Sequence, residues 1–449
     1  MNLAQALEVR QGDVVAFVGA GGKTRAMFRL AGELMREGWR VVTTTTTRVP
    51  QGDLHHAPQR VGFGHGMRLP ASLPEQIEQH RHVFVFAKLE PDNRVRGVRP
   101  SWLDENLAPA SYLDVLLVEA DGSRRLPMKA PLPHEPAMPA SATIVVLVAG
   151  IDALGQPLGE DTIYGAEVIH SLLGHPLGSP VTTQLMAAVL MHPQFGLKRV
   201  PPGARIIPLL NKVTPETLPL AREVAGYLLT DANIERVLIG AVEEDNPIWE
   251  AQRRVGAVIL AAGESRRMGE PKLLMDWGGR TIIRQVCEQV AACDLYEVTL
   301  VAGQWMEAIQ EQVADLPVRV IHNPNYALEE MVSSLQVGLR AIWHTSDACL
   351  VVLGDQPMTK QDVIGSVLQA YHQGRGRIIA PSYQGQRGHP VLIDRAFWQA
   401  IMDLPPDAAP RNVLQANQHE IYHMVVDTNT VIRDIDTPGD YRQARGGDE

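Results

Sequence analysis

Two stretches of this sequence have residue types and spacings suited to holding phosphate. In the first, residues 14–18 (VVAFV) lead into Gly19-Ala20-Gly21-Gly22-Lys23-Thr24. Glycines let backbone N–H groups face phosphate oxygens, a lysine reaches the β/γ oxygens, and a threonine hydroxyl can hold Mg²⁺. The spacing departs from GxxxxGK[ST], because Phe17 stands at the first glycine position. A plain glycine-rich turn is the alternative; the strand before and helical pattern after the loop favour phosphate. In the second stretch, residues 255–274 (VGAVILAAGESRRMGEPKLL), an apolar run ends at Leu260-Ala261-Ala262-Gly263. Small residues let the backbone approach a ligand closely, and Arg267 and Lys272 can offset its charge. The combination suits a nucleoside triphosphate.

Carboxylates in both halves follow apolar runs. Residues 349–353 deliver Gly354-Asp355-Gln356-Pro357, and Asp355 at the end of a central parallel strand lies where such sheets bind ligands. Asp434-Ile435-Asp436 can bring a second carboxylate, Asp436, at the end of a short strand. Mg²⁺ takes one or two carboxylates together with substrate phosphates, so Asp355 and Asp436 are its candidate ligands. The plain alternative for each is a turn-capping aspartate. In the first half, residues 114–118 are followed by Glu119 and Asp121, either of which fits a Walker-B-type carboxylate beside a phosphate loop. Thr43 to Thr47 end another strand and read equally as Mg²⁺ or phosphate ligands and as ordinary β-branched residues. Asn211-Lys212 stands where GTP-binding P-loop proteins carry Asn-Lys-x-Asp, but Thr214 replaces the aspartate, which leaves the base undefined.

The elements that must position these groups alternate. Apolar runs at 40–42, 114–118, 142–148, 206–210 and 236–239 surround the first loop, an order expected of a parallel sheet covered on both faces. Residues 51–74, rich in Gly, Pro and His, read as a mobile loop. Residues 240–254 turn polar and include Asn246-Pro247, which places a boundary between domains of 1–243 and 254–449. Beyond it, residues 281–292 read as a helix, 298–301, 318–321 and 349–353 as strands, and Ser333-Ser334 as the cap of a helix running through Ile342. The predicted fold is α/β in two domains. The N-terminal one is a P-loop-like parallel α/β domain, and the C-terminal one is a Rossmann-like α/β domain.

Composition narrows the function classes. The 449 residues hold 45% hydrophobic and 20% charged side chains, with 51 acidic against 41 basic and a net charge of −10. That balance disfavours nucleic acid as a partner. Three cysteines without a CxxC pair give neither a disulfide framework nor a thiolate zinc site. The absence of a secretory pattern and of an apolar run of about 18 residues predicts a cytoplasmic protein without a membrane segment.

The set formed by residues 19–24, 43–47, 119–123, 129–131, 134–136 and 211–212 resembles the YqeC-like proteins, accessory factors of selenium-dependent molybdenum hydroxylases. The set LAAGESRRMGEPK, MVSSL, LGDQP, GQRGHPVL and DIDTP resembles the molybdenum cofactor cytidylyltransferases among the MobA-like nucleotidyltransferases. This second resemblance implies a Rossmann-like nucleotidyltransferase domain that transfers CMP from CTP to molybdopterin with Mg²⁺. By the same resemblance, residues 260–263, Arg267 and Lys272 meet the nucleotide, as do Asn323, Ser333 and Ser334. Gly388, His389 and Pro390 meet the pterin, and Asp355 and Asp436 bind the metal. Ala262 favours CTP over GTP, since the guanylyl branch tends to LAGG. The residues of the first half point to a nucleotide, ATP or GTP, held by Gly21, Gly22, Lys23, Thr24, Asp121, Asn211 and Lys212; the first resemblance implies a place in the molybdenum enzyme pathway and transient contact with a molybdenum hydroxylase. Two other readings stand beside these. One is nucleotidyl transfer to another acceptor, such as a sugar phosphate; the other is a nucleotide-switched delivery protein without turnover.

Overall fold

The computed structural model describes residues 1–64, 68–263, 270–328 and 331–445. The chain forms two compact units, Met1–Gln252 and Arg253–Glu449. Both are mixed α/β layers built on large, mainly parallel sheets.

In the first unit nine strands stand in the spatial order Ile248–Gln252, Val237–Gly240, Arg205–Asn211, Ile144–Gly150, Val14–Gly19, Val115–Glu119, Val41–Thr45, His82–Phe86 and Gln59–Gly62. Eight run parallel, and Ile248–Gln252 pairs antiparallel at the edge. The Val14–Gly19 strand shows why this order is stable. Val15 and Phe17 join the core on one face, with the helix Lys23–Arg36. Val14, Ala16 and Val18 join the core on the other, with the helices Thr183–Met191 and Leu218–Leu228. Each buried side chain of this size stabilises by roughly 1.5–3 kcal/mol, so a slip of one residue, which would exchange the two faces, is strongly disfavoured.

Two details differ from the sequence reading. Residues 51–74 are not one irregular loop, because Gln59–Gly62 adds a parallel strand to the sheet edge. Residues 240–254 include the edge strand Ile248–Gln252, so the polar stretch is partly β-structure. Both are edge strands without the continuous apolar pattern of central ones: Gln59–Gly62 is half-exposed, and Ile248–Gln252, though mostly buried, carries Glu250 and Gln252.

His82, at the start of its strand, is buried against Thr43, with Nε2 2.8 Å from the hydroxyl. Burial pulls its pKa down to about 4. Between the usual histidine value of about 6.5 and this value the unfolded chain takes up a proton here that the folded chain refuses. Stability from this residue is therefore complete above about pH 6.5 and falls by up to about 3 kcal/mol as pH drops through that window. Denaturant midpoints at pH 7 and pH 4.5 should differ accordingly, and His82→Gln should shrink the difference. An equal difference in the variant would assign the acid lability to other groups.

In the second unit the strand order is Arg319–His322, Glu297–Ala302, Val255–Ala261, Ala348–Leu353, Val391–Asp394 and Ile378–Tyr383, with Ile421–Val425 pairing parallel to the last. From Val255–Ala261 the chain moves first to one side and later to the other, so a topological switch point lies between Val255–Ala261 and Ala348–Leu353. Helices Ile282–Ala291 and Gln361–His372 cover one face, and Met331–Ile342 the other. Among the described residues no helix is long and apolar enough to cross a membrane.

Candidate functional site

The second unit gathers its charged groups at the switch point. Leu260 pairs with Leu353 and Ala261 with Ala302, so the 260–263 turn leaves the sheet beside the turn that carries Asp355. The two turns are tied by Gly354 N–H donating to Leu260 O at 2.9 Å. Gly303 sits so close to Ala262 O and Tyr326 that any side chain there would push the 262–263 backbone aside. Lys272 opens the short 3₁₀ turn Lys272–Leu274 and places its ammonium 2.7 Å from Asp355 Oδ2 and 3.3 Å from Asp436 Oδ1. The structure thus brings together Leu260, Ala261, Ala262, Lys272, Asp355 and Asp436. Gly263 follows in the same turn. Arg267 lies outside the described residues.

Asp436 is not at the end of a strand, as its alternation with Ile435 suggests. Residues 433–436 are irregular, and Ile435 N–H donating to Asp355 O at 3.3 Å fixes them against the Asp355 turn. Asp434, which the sequence reading assigns no role, accepts a hydrogen bond from Gln356 Nε2 at 2.6 Å. Burial raises its carboxyl above the usual range, and the charges of Asp355 and Asp436 push the same way; Gln356 and Lys272 oppose them. The D-x-D spacing, which turns alternate side chains of an extended segment to one side, was the available signal.

Asn323 is fully buried and donates from Nδ2 to Ser333 Oγ and Ser334 Oγ, both at 3.0 Å. The serines do not cap their helix. They lie in the first turn of Met331–Ile342, where a hydroxyl reaches a neighbouring loop instead of its own backbone. Gly388, His389 and Pro390 form a tight turn with a cis His389–Pro390 bond, and His389 N–H donates to Val431 O at 2.8 Å. Burial pulls the His389 imidazole down to about 4; Arg387 lowers it further and Asp355 opposes, so it is neutral at pH 7.

The Lys272 ammonium lies between Asp355 and Asp436, so the two carboxylates face a common cation. Among the described residues no three His, Cys, Asp or Glu side chains are gathered as a metal cage. One or two carboxylates plus substrate phosphates suffice for Mg²⁺, so the donor set fits.

In the first unit, Lys23 begins its helix with Gly22 at the cap and no side chain capping the N–H groups. Its ammonium folds back to Gly19 O at 2.7 Å and lies 3.2 Å from Asp121 Oδ1. Thr24 Oγ1 donates to Glu119 Oε2 at 2.8 Å. Phe17 pairs with Glu119 across adjacent strands, which sets that acid beside the loop. Gly21 has a φ of 81°, and a Cβ there would run into the Gly150 backbone. Two loop N–H groups do not face an open site, because Ala20 donates to Val148 O and Gly21 to Leu126 O.

Asn211 is buried, with its amide bonded to Gly21 O at 2.8 Å and its carbonyl to Val242 N–H at 3.0 Å. These bonds brace the loop, and each uses one of the amide's two donors or two acceptor positions. Lys212 is exposed and pairs with Asp152 at 2.7 Å. The threonines serve the sheet: Thr43 meets His82, Thr44 donates to Val85 O, and Thr45 to Glu119 O. Lys129 is fully buried between Asp121 at 3.2 Å and Glu135 at 2.7 Å, 4.7 Å from the Tyr164 ring centroid. Sequence reasoning gives it no role, since lysines are by default exposed.

Comparison with known proteins matches the two halves of the chain to different families. A family model described as YqeC protein matches residues 15–167, and one described as MobA-like NTP transferase domain matches residues 257–421. The chain is 33% identical over 234 residues to an uncharacterized protein YqeC of Escherichia coli (strain K12), covering 51% of this chain and 88% of that protein. It is 27% identical over 193 residues to the molybdenum cofactor cytidylyltransferase of the same organism, covering 42% and 95%. It is also 29% identical over 192 residues to a nicotine blue oxidoreductase of Paenarthrobacter nicotinovorans, covering 41% and 92%.

Proposed function

From a chain that belongs to the YqeC family through its first half and carries a MobA-like NTP transferase domain in its second, we propose that the second unit transfers CMP from CTP to molybdopterin. An oxygen of the pterin's terminal phosphate attacks the α-phosphorus of CTP, the bond to the β-phosphate breaks, and pyrophosphate leaves. Both reactants are anionic, so positioning and charge compensation carry the rate. The observation that carries this reading is Lys272 held between Asp355 and Asp436 beside the 260–263 turn.

In this reading the 260–263 turn holds the nucleotide, with Ala262 setting the preference for CTP over GTP. Asn323, with Ser333 and Ser334, borders the nucleotide, and Gly388, His389 and Pro390 receive the pterin. Lys272 stabilises the negative charge of the departing pyrophosphate. Arg267, by its place in the sequence, assists it. Asp355 and Asp436 would hold Mg²⁺, which when bound supplies charge neutralisation across phosphate oxygens. The first unit binds a nucleotide, ATP or GTP, through Lys23, Thr24 and the start of its helix. It acts in an accessory step of selenium-dependent molybdenum hydroxylase assembly, in transient contact with that enzyme.

The test is incubation with molybdopterin, Mg²⁺ and each nucleoside triphosphate in turn, followed by mass analysis of the pterin and assay of pyrophosphate. A CMP adduct formed with CTP, and a pyrophosphate signal that requires the pterin, are expected. A GMP adduct instead would overturn the role of Ala262. Bound pterin without pyrophosphate from any nucleotide would replace transfer by a delivery role, and turnover only with a sugar phosphate would replace the acceptor.

A further inference from the structure

In the first unit a carboxylate stands at the mouth of the phosphate loop. Asp121 Oδ2 accepts the Gly19 N–H at 3.1 Å and lies 3.2 Å from Lys129 Nζ. Asp121 Oδ1 lies 3.2 Å from Lys23 Nζ and has no hydrogen bond among the described residues, so that oxygen is held by charge alone. The side chains of Lys23, Asp121 and Lys129 are 2%, 2% and 0% exposed. Two ammonium groups and a backbone N–H converging on one pair of oxygens is a donor set for a phosphoryl group. Glu135, 2.7 Å from Lys129, completes the charge balance of two lysines against two acids. Lys129 also donates to Gly122 O.

Three further features separate this arrangement from a simple buried ion pair. The helix beginning at Lys23 has no side-chain cap, so its N-terminal N–H groups favour an incoming anion. A small cavity of about 20 Å³, lined by Gly19, Asp121 and Lys129 and otherwise mainly by apolar groups such as Leu190 and Phe195, borders the carboxylate. The loop hydroxyl, Thr24, is already bonded to Glu119, whereas Asp121 is the acid that the two lysines hold.

We infer that Gly19 N–H, Lys23 and Lys129 form a subsite for the terminal phosphoryl group of a polyphosphate, and that Asp121 fills this subsite in the ligand-free chain. The inference rests on the nucleotide-binding reading of the first unit and adds Lys129 to its ligands. It also reverses the sign expected for Asp121: as a metal ligand the residue would strengthen binding, whereas as a resident anion it competes with the ligand.

The experiment is calorimetric titration of the full chain with tripolyphosphate, taking the component lost in Lys23→Ala as that of the first unit. Asp121→Asn should tighten that component about tenfold or more, as when an occluded site becomes competent. Adding Lys129→Met to Asp121→Asn should abolish the gain. Removing one partner of a buried pair can destabilise the fold, so thermal melts with and without tripolyphosphate accompany the titrations. Asp121→Asn should gain more from the ligand than the wild type does, and Asp121→Ser should behave alike. A Lys23-dependent component that Asp121→Asn weakens or leaves unchanged overturns the inference alone. Absence of that component from both proteins overturns the nucleotide-binding reading, and the inference with it.

Discussion

Lys272→Ala lowers nucleotidyl transfer by on the order of 10²–10³ at saturating substrate, the loss that follows removal of one preorganised donor. Two effects act in the same direction. The departing pyrophosphate loses the cation that offsets its charge. Asp355 and Asp436 also lose the ammonium they share, at 2.7 and 3.3 Å, and so repel the anionic nucleotide. Lys272→Arg should recover only part of the rate, since a larger planar guanidinium places its charge differently from the compact ammonium that sits 2.7 and 3.3 Å from the two carboxylates. Steady-state turnover of the three proteins is the measurement, and near-normal turnover of the alanine variant would remove Lys272 from the mechanism.

Asp355→Ala is expected to abolish the Mg²⁺-dependent part of turnover. The backbone around Asp355 predicts that this loss is chemical and not a collapse of the site. Gly354 N–H still donates to Leu260 O, and Ile435 N–H still reaches the carbonyl of residue 355, because neither bond uses the carboxylate. Asp355→Asn, which keeps the shape of the side chain and removes its charge, should fail in the same way. Titrating turnover against Mg²⁺ for both variants decides the matter: a dependence like that of the wild type would sink the metal assignment.

Much of this site is legible in the sequence because central strands are buried on both faces. Residues 14–18 and 255–260 are continuous apolar runs for that reason, and each delivers its loop at a defined edge of the sheet. The turns after them, beginning near Gly19 and Ala262, are therefore readable from the sequence, as is the turn with Asp355 after the apolar run 349–353. Edge strands are less legible. Gln59–Gly62 (QRVG) and Ile421–Val425 (IYHMV) are half-exposed, so their composition resembles that of loops.

Contacts made by irregular segments were not legible at all. Asp434 acquires its raised carboxyl from burial and from neighbours distant in sequence. The burial of Lys129 depends on Asp121 and Glu135 closing around it. Ser333 and Ser334 show a subtler limit. Their type suggested a helix cap, but the helix already begins at Met331, and the hydroxyls turn to Asn323.

The ion pair between Lys272 and Asp436 joins residues 164 positions apart, so it closes only after the segment carrying Asp436 has folded back against the Asp355 turn. During synthesis the 260–263 turn and Lys272 are made first, Asp355 later and Asp436 later still. Until then the lysine has at most one of its two acidic partners. A chain cut before Asp436 that keeps the 260–263 turn therefore lacks the closed charge triad of Lys272, Asp355 and Asp436.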